Sequence, residues 1–476
     1  MNISLPDMTK FSGISSDSRQ IKSGYMFVAI PGAKFDGRDF IDAAIENGAS
    51  TVVVPTGTPV ESPNVEVIET DNPRAYLCHA AVAFYNAKIP YVAAVTGTNG
   101  KTSTVHFARE IWKALHEKAA SLGTLGMVGE GLDGYSGMTT PDPVWLHQSL
   151  KNLADKGFTH LAMEASSIGI EQYRLDGIKI KAAGFTNLTR DHLDYHGTME
   201  SYLQSKMRLF SELLDNQGIA IVNADVPEFE QIRQVCEQRK IPCWGYGVKG
   251  KEITLKSREI FPQGQKIELE VLGQSFSVML ALVGLFQTMN VLCALGLVLA
   301  ENKFDVADVV NNLSHLSGVP GRLQQVRGTN DFAVYVDYAH TPDALENILN
   351  ALRPHTENRL ICLFGCGGDR DTGKRPVMGD ISTRLADVAI VTDDNPRSED
   401  PQKIRADILK GCQKQVLEID GRRNAIRQAV QMLRKGDVLV LAGKGHEQGQ
   451  IFATHTEPFD DVTEAEAALR EAPDKS

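Results

Sequence analysis

One stretch constrains this chain more than any other: Thr96-Gly97-Thr98-Asn99-Gly100-Lys101-Thr102. Before it, residues 91–95 form an apolar run of buried-strand type. After it, Val105, Ala108, Ile111, Trp112 and Leu115 recur on one helical face. A glycine-rich turn from strand into helix lets backbone N–H groups approach phosphate oxygens. Lys101 adds a point charge, and Thr102 offers a hydroxyl to a divalent cation. The first glycine of the general phosphate-loop pattern is absent, since Val95 stands in its place. The bland alternative, a glycine turn carrying a surface lysine, leaves the strand before it and the helix after it as coincidence. The chain is therefore expected to be an ATP-driven α/β enzyme.

At 476 residues the chain exceeds one core of ordinary size, and three domains are expected. The 41 glycines suit many tight turns between strands and helices. A net charge of −11 argues against a general nucleic-acid or anionic-membrane binder, because a broad negative field repels phosphate backbones. The first ten residues hold no apolar core of signal-peptide length, and no apolar run reaches membrane-spanning length, so a cytoplasmic location is expected. The segment 278–300, interrupted by Gln287, Thr288 and Asn290, reads as a buried helix. Seven cysteines scattered through apolar runs argue against a disulfide framework. Cys362 and Cys366 have a zinc-like spacing but no second Cys/His pair. Disorder is expected only in the tail, 471–476.

The first part, 1–89, alternates short apolar runs (26–30, 51–55) with a helix over 73–85, as a small α/β domain would. The central part, 90–318, adds strands at 160–163, 182–186 and 219–222. In the last part, 319–476, strands (332–336, 360–364, 387–391, 438–441) alternate with helices (342–352, 401–412, 424–433), the pattern of a parallel sheet with crossover helices. Polar, glycine-rich loops follow four of these strands, at 337–340, 365–370, 393–397 and 443–447. Ligands bind at the carboxyl ends of strands in such sheets, so these loops are expected to share one edge.

Other motifs are ambiguous singly. Glu164 ends an apolar strand and His192 follows another; both suit a magnesium ion near a triphosphate, although a satisfied loop histidine is commoner than a ligand. Lys206, on a helix within 202–210, looks like an ordinary solvated lysine. Asp-Asn-Pro-Arg occurs twice. Asp71-Asn72-Pro73-Arg74 is explained as a helix start. Asp394-Asn395-Pro396-Arg397 follows a parallel strand, where an arginine is well placed to take a carboxylate bidentately.

Together these motifs resemble the Mur ligases of peptidoglycan synthesis along nearly the whole chain. The matching segments are Asp17-Ser18-Arg19, the loop 97–102, Thr139-Thr140-Pro141, 164–167, 190–197 and Lys206. They continue with Gly321-Arg322, 337–343, 365–370, 394–397 and 443–447. The resemblance implies a UDP-sugar domain, a central ATPase and a Rossmann-like amino-acid domain. It implies that Gly97, Thr98, Asn99, Gly100, Lys101, Thr102, Asn290, Arg322 and Asp337 hold ATP. Ser18, Thr139, Thr140, Ser166, Gln172 and Arg174 would hold the UDP-linked substrate. Mg²⁺ would take Thr102, Glu164, His192 and Lys206, the last as a carbamate, and Lys101 would act with them in catalysis. Gln287 departs from an asparagine common in relatives, but it remains an amide.

Family members that add diaminopimelate carry Asp-Asn-Pro-Arg, and lysine-adding ones usually lack its arginine. Arg397 therefore implies meso-diaminopimelate, joined to the D-glutamate γ-carboxylate of UDP-MurNAc-L-Ala-D-Glu through an acyl phosphate. Arg370, Asp394, Asn395, Pro396, Gly443 and Glu447 would complete its recognition, with Glu447 facing the distal amine. The alternatives are lysine addition, a more distant folylpolyglutamate synthetase, and a catalytically inactive nucleotide-binding homologue.

Overall fold

The structure, a computed structural model, describes residues 3–32, 35–132, 134, 137–261, 264–326 and 332–471. The expected disorder of the tail falls on residues 472–476, outside that set, apart from Glu471, which ends a helix.

Strands β1 (Gly13–Ser15), β2 (Tyr25–Val28), β3 (Ala49–Pro55) and β4 (Glu66–Thr70) form a parallel sheet in that order. Helices α1 (Ile41–Glu46) and α2 (Pro73–Tyr85) accompany it. The first Asp-Asn-Pro-Arg is the helix start expected: Asn72 Oδ1 accepts the Ala75 N–H at 3.0 Å and Pro73 opens the helix. Tyr76, Leu77 and Ala80 of α2 pack on Met26, Val28 and Val53.

The chain continues through β5 (Tyr91–Thr96), α3 (Lys101–Ala114), β6 (Ala119–Gly123), β7 (Gly126–Val128), α4 (Pro143–Asp155) and β8 (His160–Glu164). Then follow α5 (Ser167–Glu171), β9 (Ile180–Phe185), α6 (Leu193–His196), α7 (Met199–Arg208), β10 (Leu214–Asn223), α8 (Phe229–Gln238) and β11 (Cys243–Gly247). These strands lie in the order β11-β10-β9-β5-β8-β6-β7. All neighbours are parallel except β7 on β6. β5 is buried along its whole length, as an apolar central strand must be.

Next come β12 (Ile253–Phe261), β13 (Gly264–Val271), β14 (Gln274–Leu280), α9 (Leu285–Leu299) and α10 (Val306–Asn311). The segment 278–300 is thus not one helix. Val278 and Leu280 are buried while Met279 between them is exposed, a strand alternation, and the helix starts only after Gly284 at φ 85°.

The last part holds β15 (Gln324–Gln325), β16 (Ala333–Asp337), α11 (Pro342–Leu352), β17 (Leu360–Phe364), α12 (Lys374–Leu385), β18 (Val388–Val391) and α13 (Pro401–Leu409). It ends with β19 (Leu417–Glu418), α14 (Arg422–Gln431), β20 (Val438–Ala442), β21 (Gly449–Ile451), β22 (Thr456–Pro458) and α15 (Asp461–Glu471). Its sheet runs β15-β16-β20-β17-β18-β19 and is parallel but for the edge strand β15. Asp337 and Phe364 both pair with Ala442, and Phe364 also pairs with Val391, so the loops after β16, β17, β18 and β20 leave one edge, as expected.

The chain divides into two units. One comprises Met1–Thr254, Val271–Gly273 and Met289–Val310; the other comprises Leu255–Glu270, Gln274–Thr288 and Asn311–Ser476.

Candidate active site

In the first unit, β8 and β9 flank β5 in register, with Val95 opposite Glu164 and Thr96 opposite Phe185. The phosphate loop, Glu164 and the segment after Phe185 therefore leave the same edge. Two loop glycines sit where no side chain fits. Gly97 has φ 146° and a Cβ there would collide with the Thr186 hydroxyl; Gly100 has φ 88° and its Cβ would collide with the Asn290 amide. Asn290 thus lies directly against the loop.

The end of β9 fastens that loop. Thr98 N–H donates to the Asn187 carbonyl at 2.9 Å, and Asn99 N–H to Asn187 Oδ1 at 2.9 Å. The Thr186 hydroxyl donates to the Asn99 carbonyl at 2.6 Å. Lys101 Nζ curls back onto the Gly97 and Thr98 carbonyls, each at 2.8 Å, and opens α3 with Thr102 next to it.

Lys206 is not a solvated lysine. It is 1% exposed on α7, and its Nζ donates to the same Gly97 carbonyl at 2.9 Å. Its Nζ lies 4.1 Å from the centre of the Tyr202 ring. Burial, and then the charge of Lys101, push its pKa down to about 6, so the neutral amine prevails at neutral pH.

Glu164, also 1% exposed, accepts the Thr124 N–H at 2.8 Å and the Thr124 hydroxyl at 3.3 Å. Its backbone carbonyl accepts the Thr140 hydroxyl at 2.9 Å. Thr140 Oγ1 in turn accepts the Ser166 N–H and hydroxyl, both at 3.0 Å. Arg174 donates to the Thr140 carbonyl at 2.6 Å and to Gln172 Oε1 at 2.7 Å. Thr139 pairs with the Thr124 hydroxyl at 3.3 Å. Five of the six residues expected at the UDP-linked substrate thereby form one network. Ser18 is outside it, buried at the start of a 3-10 turn that is otherwise exposed, and its carbonyl accepts the Asn47 amide at 3.0 Å.

His192 is half exposed, in the left-handed region at φ 51°, and its ring lies 3.5 Å from Asp191. Among the described residues, no group of three or more His, Cys, Asp or Glu side chains is arranged to hold a metal ion.

The second unit carries the remaining expected residues. Asp337 ends β16 and accepts the Leu323 N–H at 2.7 Å and the Ala339 N–H at 2.8 Å. Burial pushes its carboxyl up, against the pull of Arg322. The Arg322 guanidinium lies 4.9 Å from the centre of the Tyr338 ring, and its carbonyl accepts the Gln287 amide at 3.3 Å.

Beyond β18, Asp394 and Asn395 are buried. Arg397 adopts φ 51°; its backbone N–H donates to the Ile451 carbonyl and its guanidinium to the Gly368 carbonyl, both at 3.0 Å. No carboxylate pairs with Arg397 among the described residues. The Pro396 carbonyl abuts Gly368 so closely that a Cβ there would collide with it. Glu447 accepts the Asn395 amide at 2.8 Å, and Gly443, at φ 121°, leaves room for the Asp394 carboxylate. Arg370 is exposed on the loop after β17.

Three sequence models cover consecutive stretches of this chain: one for the Mur ligase family, catalytic domain, at residues 10–89; one for the Mur ligase middle domain at 95–298; and one for the Mur ligase, glutamate ligase domain, at 321–445. A protein of Caulobacter vibrioides, named UDP-N-acetylmuramoyl-L-alanyl-D-glutamate--2,6-diaminopimelate ligase, is 48% identical over 465 residues, covering 96% of this chain and 95% of its own. The chain belongs to the Mur ligase family. Membership makes it an ATP-dependent ligase. A solved structure bearing the same ligase name is 34% identical, with a TM-score of 0.74 over 97% of this chain and 95% of that one. The MurF ligase of Thermotoga maritima, solved in complex with ADP, shares the fold at 20% identity and a TM-score of 0.63, over 98% of this chain and 99% of its own.

Within this Mur ligase, several residues that sequence reading passed over support the site. Tyr202 joins the Thr98 hydroxyl at 3.2 Å and faces Lys206. His196, its side chain 1% exposed, pairs with the Ser167 hydroxyl at 2.9 Å and lies 3.2 Å from Glu171, bracing α5 against α6. Lys444 and Arg422 are buried behind Asn395 and Asp394. Of these, His196 and Lys444 lay inside recognised motifs, and their burial was the part that spacing does not signal.

Proposed function

We propose that this Mur ligase joins meso-diaminopimelate to the D-glutamate γ-carboxylate of UDP-MurNAc-L-Ala-D-Glu, using ATP, in cytoplasmic synthesis of peptidoglycan precursors. No helix among the described residues is long and apolar enough to cross a membrane. The observation that best supports the amino acid is Arg397. Its guanidinium is held by a backbone carbonyl rather than a carboxylate, which keeps its charge for a carboxylate from outside. Lysine, the competing substrate, has no distal carboxylate to offer.

The division of labour follows three stretches: 1–89 for the UDP-sugar, 90–318 for ATP, and 319–476 for the amino acid. N–H groups of the loop 97–102, with Lys101, cradle the phosphates, and Asn290, Arg322 and Asp337 help to hold ATP. Ser18, Thr139, Thr140, Ser166, Gln172 and Arg174 hold the UDP-linked substrate so that its γ-carboxylate oxygen attacks the γ-phosphorus and ADP leaves. The acyl phosphate formed is attacked at its acyl carbon by the diaminopimelate amine. The tetrahedral adduct collapses to amide and inorganic phosphate, and the amine proton is lost. Arg370, Asp394, Asn395, Pro396, Arg397, Gly443 and Glu447 orient that amine.

Magnesium fits the donors present. The Thr102 hydroxyl and Glu164 carboxylate are hard oxygen ligands, and His192 is exposed to a ligand. A Lys206 ammonium would repel the cation, but a neutral amine takes up CO₂ and loses a proton to become an anionic carbamate. When bound, the ion would offset charge on the phosphates.

The test is phosphate release with ATP, Mg²⁺ and UDP-MurNAc-L-Ala-D-Glu, comparing meso-diaminopimelate, L-lysine and no amino acid. Release with meso-diaminopimelate alone supports the assignment. Equal use of lysine would remove Arg397 from it, and no release under any condition would favour an inactive homologue.

A further inference from the structure

We propose, on the strength of the function above, that Lys444 is a positioning residue that fixes which configuration at the distal carbon of diaminopimelate the pocket takes. Its ammonium is fully buried one residue beyond Gly443. A buried charge persists only when paired, and the partners here are both substrate-facing residues. Lys444 Nζ donates to Asn395 Oδ1 at 2.9 Å and lies 3.3 Å from Glu447 Oε2. Asn395 Oδ1 accepts a second bond, from the Ile451 N–H at 3.0 Å.

Both lone pairs of that amide oxygen are therefore taken by protein donors. A flipped amide would set its NH₂ against the ammonium and the N–H, so Asn395 Nδ2 is pinned toward Glu447 Oε2, at 2.8 Å. Glu447 Oε2 is held by both neighbours, and among the described residues no donor occupies Oε1. Ile451 also accepts the Arg397 N–H at 3.0 Å. The acceptor for an amine, Glu447, and the donor for a carboxylate, Arg397, thus hang on one frame, and Lys444 is its buried cation.

The distal carbon carries an amine and a carboxylate. Inverting it exchanges the two relative to a rigid pair of anchors, so a rigid frame accepts one configuration and a loose frame accepts both. Lys444 acts on this choice without touching the substrate.

The experiment uses the full chain with Lys444→Met and Lys444→Arg. It measures kcat and KM with meso- and LL-diaminopimelate, KM for ATP, and Tm. For Lys444→Met, kcat/KM for the meso compound should fall about 30-fold, chiefly in KM, and the meso-to-LL ratio should narrow about 10-fold. KM for ATP should stay within about twofold, which a general loss of structure would not spare. Lys444→Arg keeps the charge and should recover part of the ratio. An unchanged ratio in folded Lys444→Met overturns the proposal; if that variant does not fold, the same measurement on Lys444→Gln, which also removes the charge, decides, and an unchanged ratio there overturns it. A parent enzyme inactive on meso-diaminopimelate overturns the proposed function, and this inference with it.

Discussion

Around the phosphate loop, the bonds from the end of β9 and from α7 run through backbone and neutral side-chain atoms: Asn187, Thr186 and Tyr202 hold Thr98 and Asn99, while Lys101 Nζ adds bonds to the Gly97 and Thr98 carbonyls. Around Asn395 the fastenings are ionic. Lys444 pairs with Glu447, and behind them Arg422 is locked to Asp461 by two bonds of 2.7 Å with both side chains fully buried. The loop must receive a highly charged triphosphate, and fixed backbone dipoles together with the Lys101 charge suit that task. The proposed amino-acid pocket must distinguish an amine from a carboxylate on one carbon, which requires opposed charges at set places. Shared chemistry is thus built from backbone, and selective chemistry from buried ions.

The comparison is tested hardest at Lys206. Lys206 lies beside the loop, yet its pKa near 6 makes it a neutral group awaiting conversion. Lys206→Ala should lower kcat on the order of 10³-fold, about 4 kcal/mol, with the fold retained by circular dichroism. Turnover near that of the parent would eliminate the carbamate and leave Lys206 as packing.

In the ionic region the corresponding variant costs stability. Arg422→Met leaves Asp461 buried without its partner, although the charge of Lys444 still favours the anion. The loss should be about 3 kcal/mol, at the low end for a broken buried pair. Trp112, Trp145 and Trp244 all lie in the first unit, so their fluorescence is the wrong probe. Amide exchange in β20 and α14 should accelerate while β5 and α3 keep their protection. Uniform acceleration would mean that the two regions are not separately stabilised.

Arg397→Ala removes the proposed carboxylate donor but no buried ion pair. It should lower kcat/KM for meso-diaminopimelate about 10²-fold, leave KM for ATP unchanged, and narrow the preference over lysine. Arg397→Lys should recover little, since a point charge does not reproduce the planar fork. Equal losses with ATP and with the amino acid would place Arg397 in the scaffold instead.

What the sequence made legible follows the same contrast. The phosphate loop is contiguous, so its chemistry could be read from seven residues, and Asn72 and Pro73 announced α2 to the residue. α12 was not anticipated because its buried face sets Arg375, Gly379, Ser382 and Thr383 among only two buried apolar side chains, Met378 and Ile381, with Gly379 pressed against the Ile408 carbonyl. Lys444 gave no local sign of its role because its partner Asn395 is 49 positions away. Tyr202 is likewise 104 positions from Thr98. Neutral Lys206 is legible only from burial, which no spacing encodes; the family resemblance, not its surroundings in sequence, drew attention to it.

The smallest effect expected concerns the neutral wall behind Arg174, where α2 meets α4. Cys78 donates to the Asp176 carbonyl at 3.0 Å, and His147 Nε2 lies 3.9 Å from the same thiol. Burial, with a lesser push from His79, lowers the His147 pKa to about 4. In an unfolded chain histidine titrates near about 6.5. The folded state therefore prefers neutral imidazole: the stabilisation is present above pH of about 6.5 and is lost as pH falls toward about 4. The full shift corresponds to about 3 kcal/mol, and relaxation around the ring should reduce the measured loss to roughly 2 kcal/mol. Trp145 stands two residues away on α4, so its fluorescence follows this wall. Between pH 7 and pH 4.5 the denaturant midpoint of that signal should fall, and His147→Gln should flatten the decline even if it lowers the midpoint at pH 7. An unflattened decline would assign the acid sensitivity to His106, also held near 4 by burial, and would move the neutral wall from α4 to α3.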